Sequence, residues 1–336
     1  MPDINLINDG FYKDKRILIT GGLGFIGSNI AERLVGFGSK VIILDALLPM
    51  YGGNLFNIEN IKDRIRLVNG DIRDKELISS LVEDIDIIFD LAAQVSYIDS
   101  LSIPYDDLDI NCRGHLNIFE ACKEKNRNAK ILFSSSRMVY GKITKNPVDE
   151  EQQTRPLSLY AAHKLVVERY CQIYHDAYSI NTVVFRITNP YGIRQQMKHS
   201  KYSILGWFLR LAMEGKTIKI YGDGKQLRDY IYIDDVVNAF LLAGADKSAD
   251  CQVYNLGYGR SIAFDEMIKL IVNVVGSGSY EYVDWPGNYE RVETGDFRTD
   301  ISKIKRYLGW KPNVSIDDGI RKTYEYYRKF KQHYWE

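Results

Sequence analysis

Arg16-Ile17-Leu18-Ile19-Thr20-Gly21-Gly22-Leu23-Gly24-Phe25-Ile26-Gly27 joins an apolar run to a glycine-rich turn and the start of a helical spacing. Ile17, Leu18 and Ile19 form an apolar run without polar alternation, the pattern of a strand buried on both faces of a parallel sheet. Thr20 and the glycines end the run, and Phe25, Ile26, Ile30 and Leu34 begin a helical spacing. In that strand–turn–helix setting, Gly22-Leu23-Gly24-Phe25-Ile26-Gly27 fits a dinucleotide fingerprint. The glycines permit the tight turn, the approach of backbone to a pyrophosphate and close helix–strand packing. The helix N-terminus adds free N–H groups and the positive end of a dipole. A second apolar run, residues 41–44, ends in Asp45. That is about 20 residues further on, where a carboxylate grips the adenosine ribose hydroxyls, so the cofactor is expected to be NAD rather than NADP.

Working outward, strand and helix patterns alternate through the first 180 residues. This predicts an α/β fold with a doubly wound parallel (Rossmann) sheet. Further strands are expected at 64–69, 86–90, 130–133 and 182–185. Polar residues gather at their carboxyl ends (Asp45, Asp71, Gln94, Ser134-Ser135-Ser136 and Asn189), where such sheets hold ligands. Past Pro190 the pattern changes to short strands (218–221, 253–255, 280–283) mixed with helices at 204–213, 234–243, 264–274 and 316–330. We expect residues 1–190 to form the cofactor-binding domain. Residues 191–336 should form a smaller mixed α/β C-terminal substrate lobe, with the two lobes interleaved in sequence.

Composition narrows the classes. The chain has 336 residues, 45% hydrophobic and 26% charged, as in an ordinary globular protein. Its 44 basic and 44 acidic residues cancel, so no global field favours nucleic acid or an anionic membrane, and anionic ligands must be met locally. Cys112, Cys122, Cys171 and Cys251 show no CxxC pairing and are expected to be reduced thiols in a reducing compartment. The five histidines lack metal-ligand spacing, so no metal is expected. No signal peptide or long apolar span is read in the chain, and a cytoplasmic protein without membrane contact is expected.

Tyr160-Ala161-Ala162-His163-Lys164 opens a helix with Tyr160 and Lys164, at i and i+4, on one face. A phenol with an unperturbed pKa near ~10 is a poor base at neutral pH. A nearby ammonium, aided by a positive nicotinamide ring, would favour the phenolate. Such a tyrosine could take a proton from a sugar hydroxyl while hydride leaves the same carbon. Ser136, just beyond the strand at 130–133, could hydrogen-bond that hydroxyl and hold the phenol.

These residues carry a resemblance. The chain resembles the extended short-chain dehydrogenases/reductases of the NAD-dependent nucleotide-sugar epimerase/dehydratase family over nearly its whole length. The likeness lies in the glycine turn, Gly70-Asp71-Ile72, Leu91-Ala92-Ala93, Asn111, Ser134-Ser135-Ser136 with Val139-Tyr140-Gly141, and Tyr160 with Lys164. It continues in Asn189-Pro190-Tyr191-Gly192, Tyr221-Gly222-Asp223-Gly224, residues 228–235 and Leu308-Gly309-Trp310-Lys311-Pro312. The resemblance implies a catalytic triad of Tyr160, Lys164 and Ser136. It implies cofactor contacts from Gly21, Gly24, Phe25, Ile26, Gly27, Asp45, Asp71, Ile72, Leu91, Ala92, Ala93 and Asn111, with Tyr160 and Lys164 at the nicotinamide ribose. It places the substrate against Gln94, Ser136, Arg137, Met138, Asn189, Arg228 and Arg291. Either arginine could instead pair with a neighbouring carboxylate, Asp229 or Glu290. A homodimer through helices near 107–123 and 159–178 is also implied.

Two positions depart from the family pattern. His163 stands where serine is usual. Arg137-Met138 replaces the acidic pair that sugar 4,6-dehydratases carry after the first triad residue. The expected reaction is therefore 4-epimerisation of a UDP-hexose through a transient 4-keto sugar. The alternatives are a 4,6-dehydratase, an epimerase at another carbon, or a non-catalytic Rossmann binding protein.

Overall fold

The computed structural model describes residues 9–49, 51–285 and 295–335. In chain order the strands are β1 (Arg16–Thr20), β2 (Lys40–Asp45), β3 (Ile65–Asn69), β4 (Ile87–Asp90), β5 (Lys130–Ser136) and β6 (Thr182–Ile187). They continue with β7 (Asn189–Tyr191), β8 (Thr217–Tyr221), β9 (Leu227–Tyr232), β10 (Gln252–Leu256), β11 (Ser261–Ala263) and β12 (Ser279–Val283). The longer helices are α1 (Phe25–Gly36), α2 (His115–Lys125), α3 (Leu159–Tyr178), α4 (Ile204–Met213), α5 (Ile233–Ala245), α6 (Phe264–Val275) and α7 (Ile316–Phe330).

Seven strands form one sheet in the order β10-β6-β5-β4-β1-β2-β3, every neighbouring pair parallel. Successive side chains of each strand point to opposite faces, and both faces are buried. Ile17, Ile19, Ile43, Phe89, Leu132 and Phe185 pack with Ile30 and Leu34 of α1 and Phe240 of α5. Leu18, Leu44, Ile88, Ile131, Phe133 and Val184 pack with Phe119 of α2 and Val167 of α3. Each such side chain contributes roughly 1.5–3 kcal/mol by leaving water, which is why the strands read as continuous apolar runs. After β1 the chain winds outward through β2 and β3, then returns to β4 on the other side of β1. That reversal opens a crevice beyond the carboxyl ends of β1 and β4.

Two expectations change. Residues 253–255, assigned to the second lobe, lie in β10 and pair with β6 in the main sheet, Val253 opposite Val184. The serine run continues β5, with Ser134, Ser135 and Ser136 opposite Phe185, Arg186 and Ile187. Serines are tolerated there because the ladder satisfies their backbone, and Ser135 Oγ donates to the buried Glu168 at 2.5 Å. Glu168 in turn is bridged by the buried Arg186 at 2.7 Å.

The second lobe holds a three-stranded sheet, β11-β9-β7, and a parallel pair, β8 and β12. Trp310 is buried there and donates to the Asp235 carbonyl at 3.1 Å. The four cysteines are free thiols. Among the described residues no helix is long and apolar enough to cross a membrane.

Candidate active site

A cleft of about 530 Å³ runs along the carboxyl edge of the sheet and under the second lobe. Its floor at one end is the glycine turn. Gly21 has φ +65°, and a Cβ there would lie 2.9 Å from the Ala92 backbone; one on Gly27 would lie 2.6 Å from the Gly21 carbonyl oxygen. Only glycine allows β1, β4 and α1 to meet this closely. Gly24 is the N-cap of α1, whose first turn carries no acid, so its N–H groups face the cleft uncontested.

Asp45 ends β2 beside this turn. Its Oδ2 accepts the Leu23 N–H at 3.0 Å and its Oδ1 the Leu47 N–H at 2.9 Å, which fixes the carboxylate at the cleft wall. Burial raises its pKa, and the two N–H bonds oppose that rise. Asp71 lines the same end. Burial pushes its carboxyl up, but hydrogen bonds from Arg73 at 2.7 and 3.0 Å outweigh this and hold it below the usual value. Thr20 ties the floor together: its Oγ1 accepts the Leu91 and Ala92 N–H groups at 3.0 and 3.1 Å and donates to Asp90 at 2.9 Å. Phe25, Ile26, Ile72, Leu91, Ala92 and Ala93 also line the cleft. A glycine cradle, a helix N-terminus and a fixed carboxylate at the next strand end suit a dinucleotide without a 2′-phosphate.

At the other end, Tyr160 is the second residue of α3, started by Ser158, whose Oγ accepts the Ala161 N–H at 3.2 Å. Its phenol hydrogen-bonds Ser136. Lys164, one turn on, is buried. Its Nζ donates to the Ser134 carbonyl at 3.0 Å and sits 4.7 Å from the Phe133 ring centre and 6.0 Å from that of Tyr160. All three line the cleft, so one edge of β5 and the first turn of α3 bring the expected triad together.

The electrostatics differ from the expectation. Burial pushes the Tyr160 phenol up to about 12; the Ser136 hydrogen bond lowers it less than burial raises it, and Asp107 raises it further. Burial also brings Lys164 down to about 8. In the chain alone, desolvation of the phenolate thus outweighs the stabilising Ser136 hydrogen bond.

Gln94 and Asn111, expected against the ligands, are corrected. Both are wholly buried behind the cleft. Gln94 Nε2 donates to Ser96 O at 2.8 Å and Asp107 at 2.9 Å, and its Oε1 accepts the Ser96 N–H. Asn111 Nδ2 donates to Gln94 O at 2.8 Å and Asp107 at 3.1 Å, while its Oδ1 accepts the Gln94 N–H at 3.2 Å. Their polar atoms are consumed in shaping the loop after β4.

Arg137, Met138, Asn189 and Arg228 line the substrate end. Arg137 stacks 5.0 Å from the Phe297 ring centre. Asn189 Nδ2 donates to the Asp229 carbonyl at 2.7 Å. Arg228 Nη1 is anchored by the Leu227 and Gly295 carbonyls at 2.8 and 3.2 Å. The Asp229 carboxylate accepts the Tyr258, Gly259 and Thr299 N–H groups at 2.7, 3.0 and 3.1 Å, on the opposite face of β9. Arg291 lies outside the described residues. Thr188, Gln195 and Tyr230, not anticipated from sequence, also line this end. Each has a buried side-chain oxygen without a hydrogen-bond partner among the described residues. Tyr230 was findable, since alternation along β9 puts it on the same face as Arg228.

Comparison with known proteins agrees with this geometry. Residues 18–323 match the GDP-mannose 4,6 dehydratase family. The chain is 34% identical over 321 residues to UDP-glucose 4-epimerase of Mycolicibacterium smegmatis, covering 94% of this chain and 100% of that one. An epimerase structure from Methanothermobacter thermautotrophicus superposes with a TM-score of 0.91 at 28% identity, over 99% of this chain and 98% of that one. The Thermus thermophilus UDP-glucose 4-epimerase complex with NAD gives 0.83 at 30% identity, over 93% and 99%. With this fold, this cleft and these relatives, the chain belongs to the GDP-mannose 4,6-dehydratase family of enzymes, the NAD-dependent nucleotide-sugar epimerases and dehydratases of the extended short-chain dehydrogenase/reductase type.

Proposed function

We propose that this chain is an NAD-dependent 4-epimerase of a UDP-linked hexose. One observation carries the choice of reaction. After the first oxidation a 4,6-dehydratase must remove a proton at C5 and protonate the departing C6 hydroxyl, which needs an acid–base group beside the triad. The two residues after Ser136 are Arg137 and Met138, neither able to serve: methionine has no titratable proton and arginine does not give one up. Among the described residues lining the cleft, the only carboxylates are Asp45 and Asp71. Asp45 ends β2, three strands from Ser136 on β5, or about 14 Å at ~4.8 Å per strand. An epimerase needs only one acid–base group and room for the keto sugar to turn, and the flexible, apolar Met138 suits such a wall.

The glycine turn, Asp45, Asp71 and the backbone of residues 91–93 would hold NAD, which when bound accepts and returns a hydride. Tyr160 takes the 4-hydroxyl proton on its phenol oxygen and gives it back. Ser136 holds both phenol and hydroxyl in line, which general acid–base transfer requires. Lys164, its Nζ 6.0 Å from the Tyr160 ring centre, places a positive charge near the phenol and lowers the cost of phenolate. Arg228, and Arg291 by the resemblance, grip the diphosphate with planar donor forks. The unpartnered oxygens of Thr188, Gln195 and Tyr230 await a polyhydroxylated ligand.

A homodimer fits the surface. The short helices over 99–108 expose Leu101, Tyr105 and Leu108, and α3 exposes Leu159, Val166 and Ile173, large apolar side chains on adjoining segments. We place the enzyme in the cytoplasm, in keeping with its free thiols. The test is incubation with UDP-, dTDP-, CDP- and GDP-hexoses and NMR identification of products. Interconversion of 4-epimers with the UDP-sugar supports the proposal; turnover only of another nucleotide, or a 6-deoxy-4-keto product, contradicts it.

A further inference from the structure

Lys164 presents a problem that the triad leaves unsolved. Its ammonium is 2% exposed, and the groups around it are the Ser134 carbonyl and the rings of Phe133 and Tyr160. None of these bears a full negative charge. An ammonium removed from water in this way is strongly disfavoured, and burial alone drives the group toward its neutral form. A neutral amine could not favour the phenolate.

The structure supplies two carboxylates at one remove, each held by a histidine. Asp90, at the end of β4, is wholly buried; its Oδ2 bonds His115 Nδ1 at 2.7 Å and its Oδ1 accepts from Thr20. His115 is itself wholly buried against Phe133, and its Nε2 has no partner among the described residues. An imidazolium would orphan a charged N–H there, so the neutral ring with Nδ1–H toward Asp90 is the less costly form, and the pair keeps one negative charge. Asp107, in the short helix Pro104–Leu108, is the second. It is wholly buried, accepts from Gln94 and Asn111 on Oδ2, and bonds His163 Nδ1 through Oδ1. His163 directly precedes Lys164 on α3. The other titratable groups facing this cluster are Tyr160, Tyr51 and Cys112 on the Asp107 side, with the Cys112 Sγ 3.9 Å from the His163 carbonyl, and the buried Cys122 and Cys171 on the Asp90 side.

We propose that Asp90 and Asp107, oriented by His115 and His163, are the buried counter-charges that keep Lys164 an ammonium, and are thus positioning residues for the Tyr160–Lys164 pair. This accounts for two buried aspartates that touch neither cleft nor solvent, and gives His163 a role tied to its position. It rests on the reading of Lys164 as the partner of Tyr160. The fields of Asp90 and Asp107 both favour the charged lysine, and Asp107 also opposes ionisation of the phenol. Asp107 is therefore a compromise between the two groups of the pair.

The experiment follows Lys164 directly, without substrate. The chain is labelled with [ε-¹³C]lysine, and the resonance titrating near pH 8 is assigned by its loss in Lys164→Met. Asp107→Asn and Asp90→Asn are each expected to lower its midpoint by on the order of one pH unit, since each removes a negative charge whose field favours the ammonium. His163→Arg, which sets a permanent cation on Asp107, is expected to lower it likewise. His163→Gln, which leaves Asp107 charged, is not. Where an aspartate variant does not fold, the two histidine variants decide alone. A midpoint unmoved in the folded aspartate variants, or moved equally by His163→Arg and His163→Gln, overturns the proposal and leaves these residues a structural role. Failure of every nucleotide sugar to turn over would instead count against the proposed reaction, with the lysine titration still interpretable.

Discussion

Replacing Asp45 by asparagine isolates the origin of cofactor choice. The carboxylate is fixed at the cleft wall by the Leu23 and Leu47 N–H groups at 3.0 and 2.9 Å, so it cannot swing away from a ligand. A 2′-phosphate about 4 Å from it would meet a repulsion on the order of 4 kcal/mol per unit charge at an effective dielectric of ~20. At about 1.4 kcal/mol per decade, wild type should prefer NAD over NADP by about 10³-fold. Asparagine removes the charge but has one oxygen, so it keeps one of the two N–H bonds and loses about 1 kcal/mol of local order. Asp45→Asn is thus expected to weaken NAD several-fold and to bring the NAD/NADP ratio within about tenfold of unity. Competitive fluorescence titration of both dinucleotides measures this. Wild-type protein binding NADP as tightly as NAD, or a ratio unchanged in Asp45→Asn, would refute the reasoning.

Other outcomes follow from the same geometry. Tyr160→Phe removes the proposed proton acceptor and little volume, and is expected to cut turnover by at least ~10²–10⁴-fold with NAD and nucleotide binding retained; Ser136→Ala should cost less, because the serine's proposed part is to hold the phenol. Turnover of Tyr160→Phe near the wild-type rate would show the base to be another group. Lys164→Met should stabilise the protein at pH 7 by on the order of 3 kcal/mol while abolishing turnover, because the native state holds a buried lysine at about 8 against 10.5 ordinarily. The sign follows from proton counting. Between pH 8 and 10.5 the unfolded chain binds more protons, so wild-type stability rises with pH across that window and the gap closes; denaturant melts at pH 7 and 10 check it. Arg228→Ala should raise the substrate dissociation constant about 10- to 100-fold with NAD affinity unchanged, measured by calorimetry with UDP. Equal weakening of both ligands would mark Arg228 as structural.

The parts of the fold read most easily were those where local pattern and burial agree. Apolar runs such as Ile17-Leu18-Ile19 are buried on both faces, so no alternation blurs them. α4 and α7 fall on the spans 204–213 and 316–330 given by their periodicity. What escaped depends on contacts distant in sequence. β10 is a short run whose membership of the main sheet is decided by pairing with β6, which no local pattern reveals. β7 and β11 have three residues each and exist because β9 lies between them. In the site, Ser136, Tyr160 and Lys164 were legible because strand end and helix start fix their positions. Gln94 was misjudged because a polar residue at a strand end reads as a ligand contact, whereas here Asp107 and the Ser96 backbone draw its amide inward. The upward pull of burial on the Tyr160 phenol is not legible in the motif, since desolvation is a property of the packed site.

Turning over a UDP-hexose in deuterated water and reading the product by NMR shows whether the chain inverts C4 without touching C5 or C6. The expected product is the 4-epimer with its 6-hydroxyl intact and no deuterium at C5, because in the proposed reaction Tyr160 exchanges a proton with the 4-oxygen alone and no carboxylate of the described cleft lies beside Ser136. A 6-deoxy-4-keto product carrying solvent deuterium would contradict the account and require an acid near Ser136 that the described cleft does not contain.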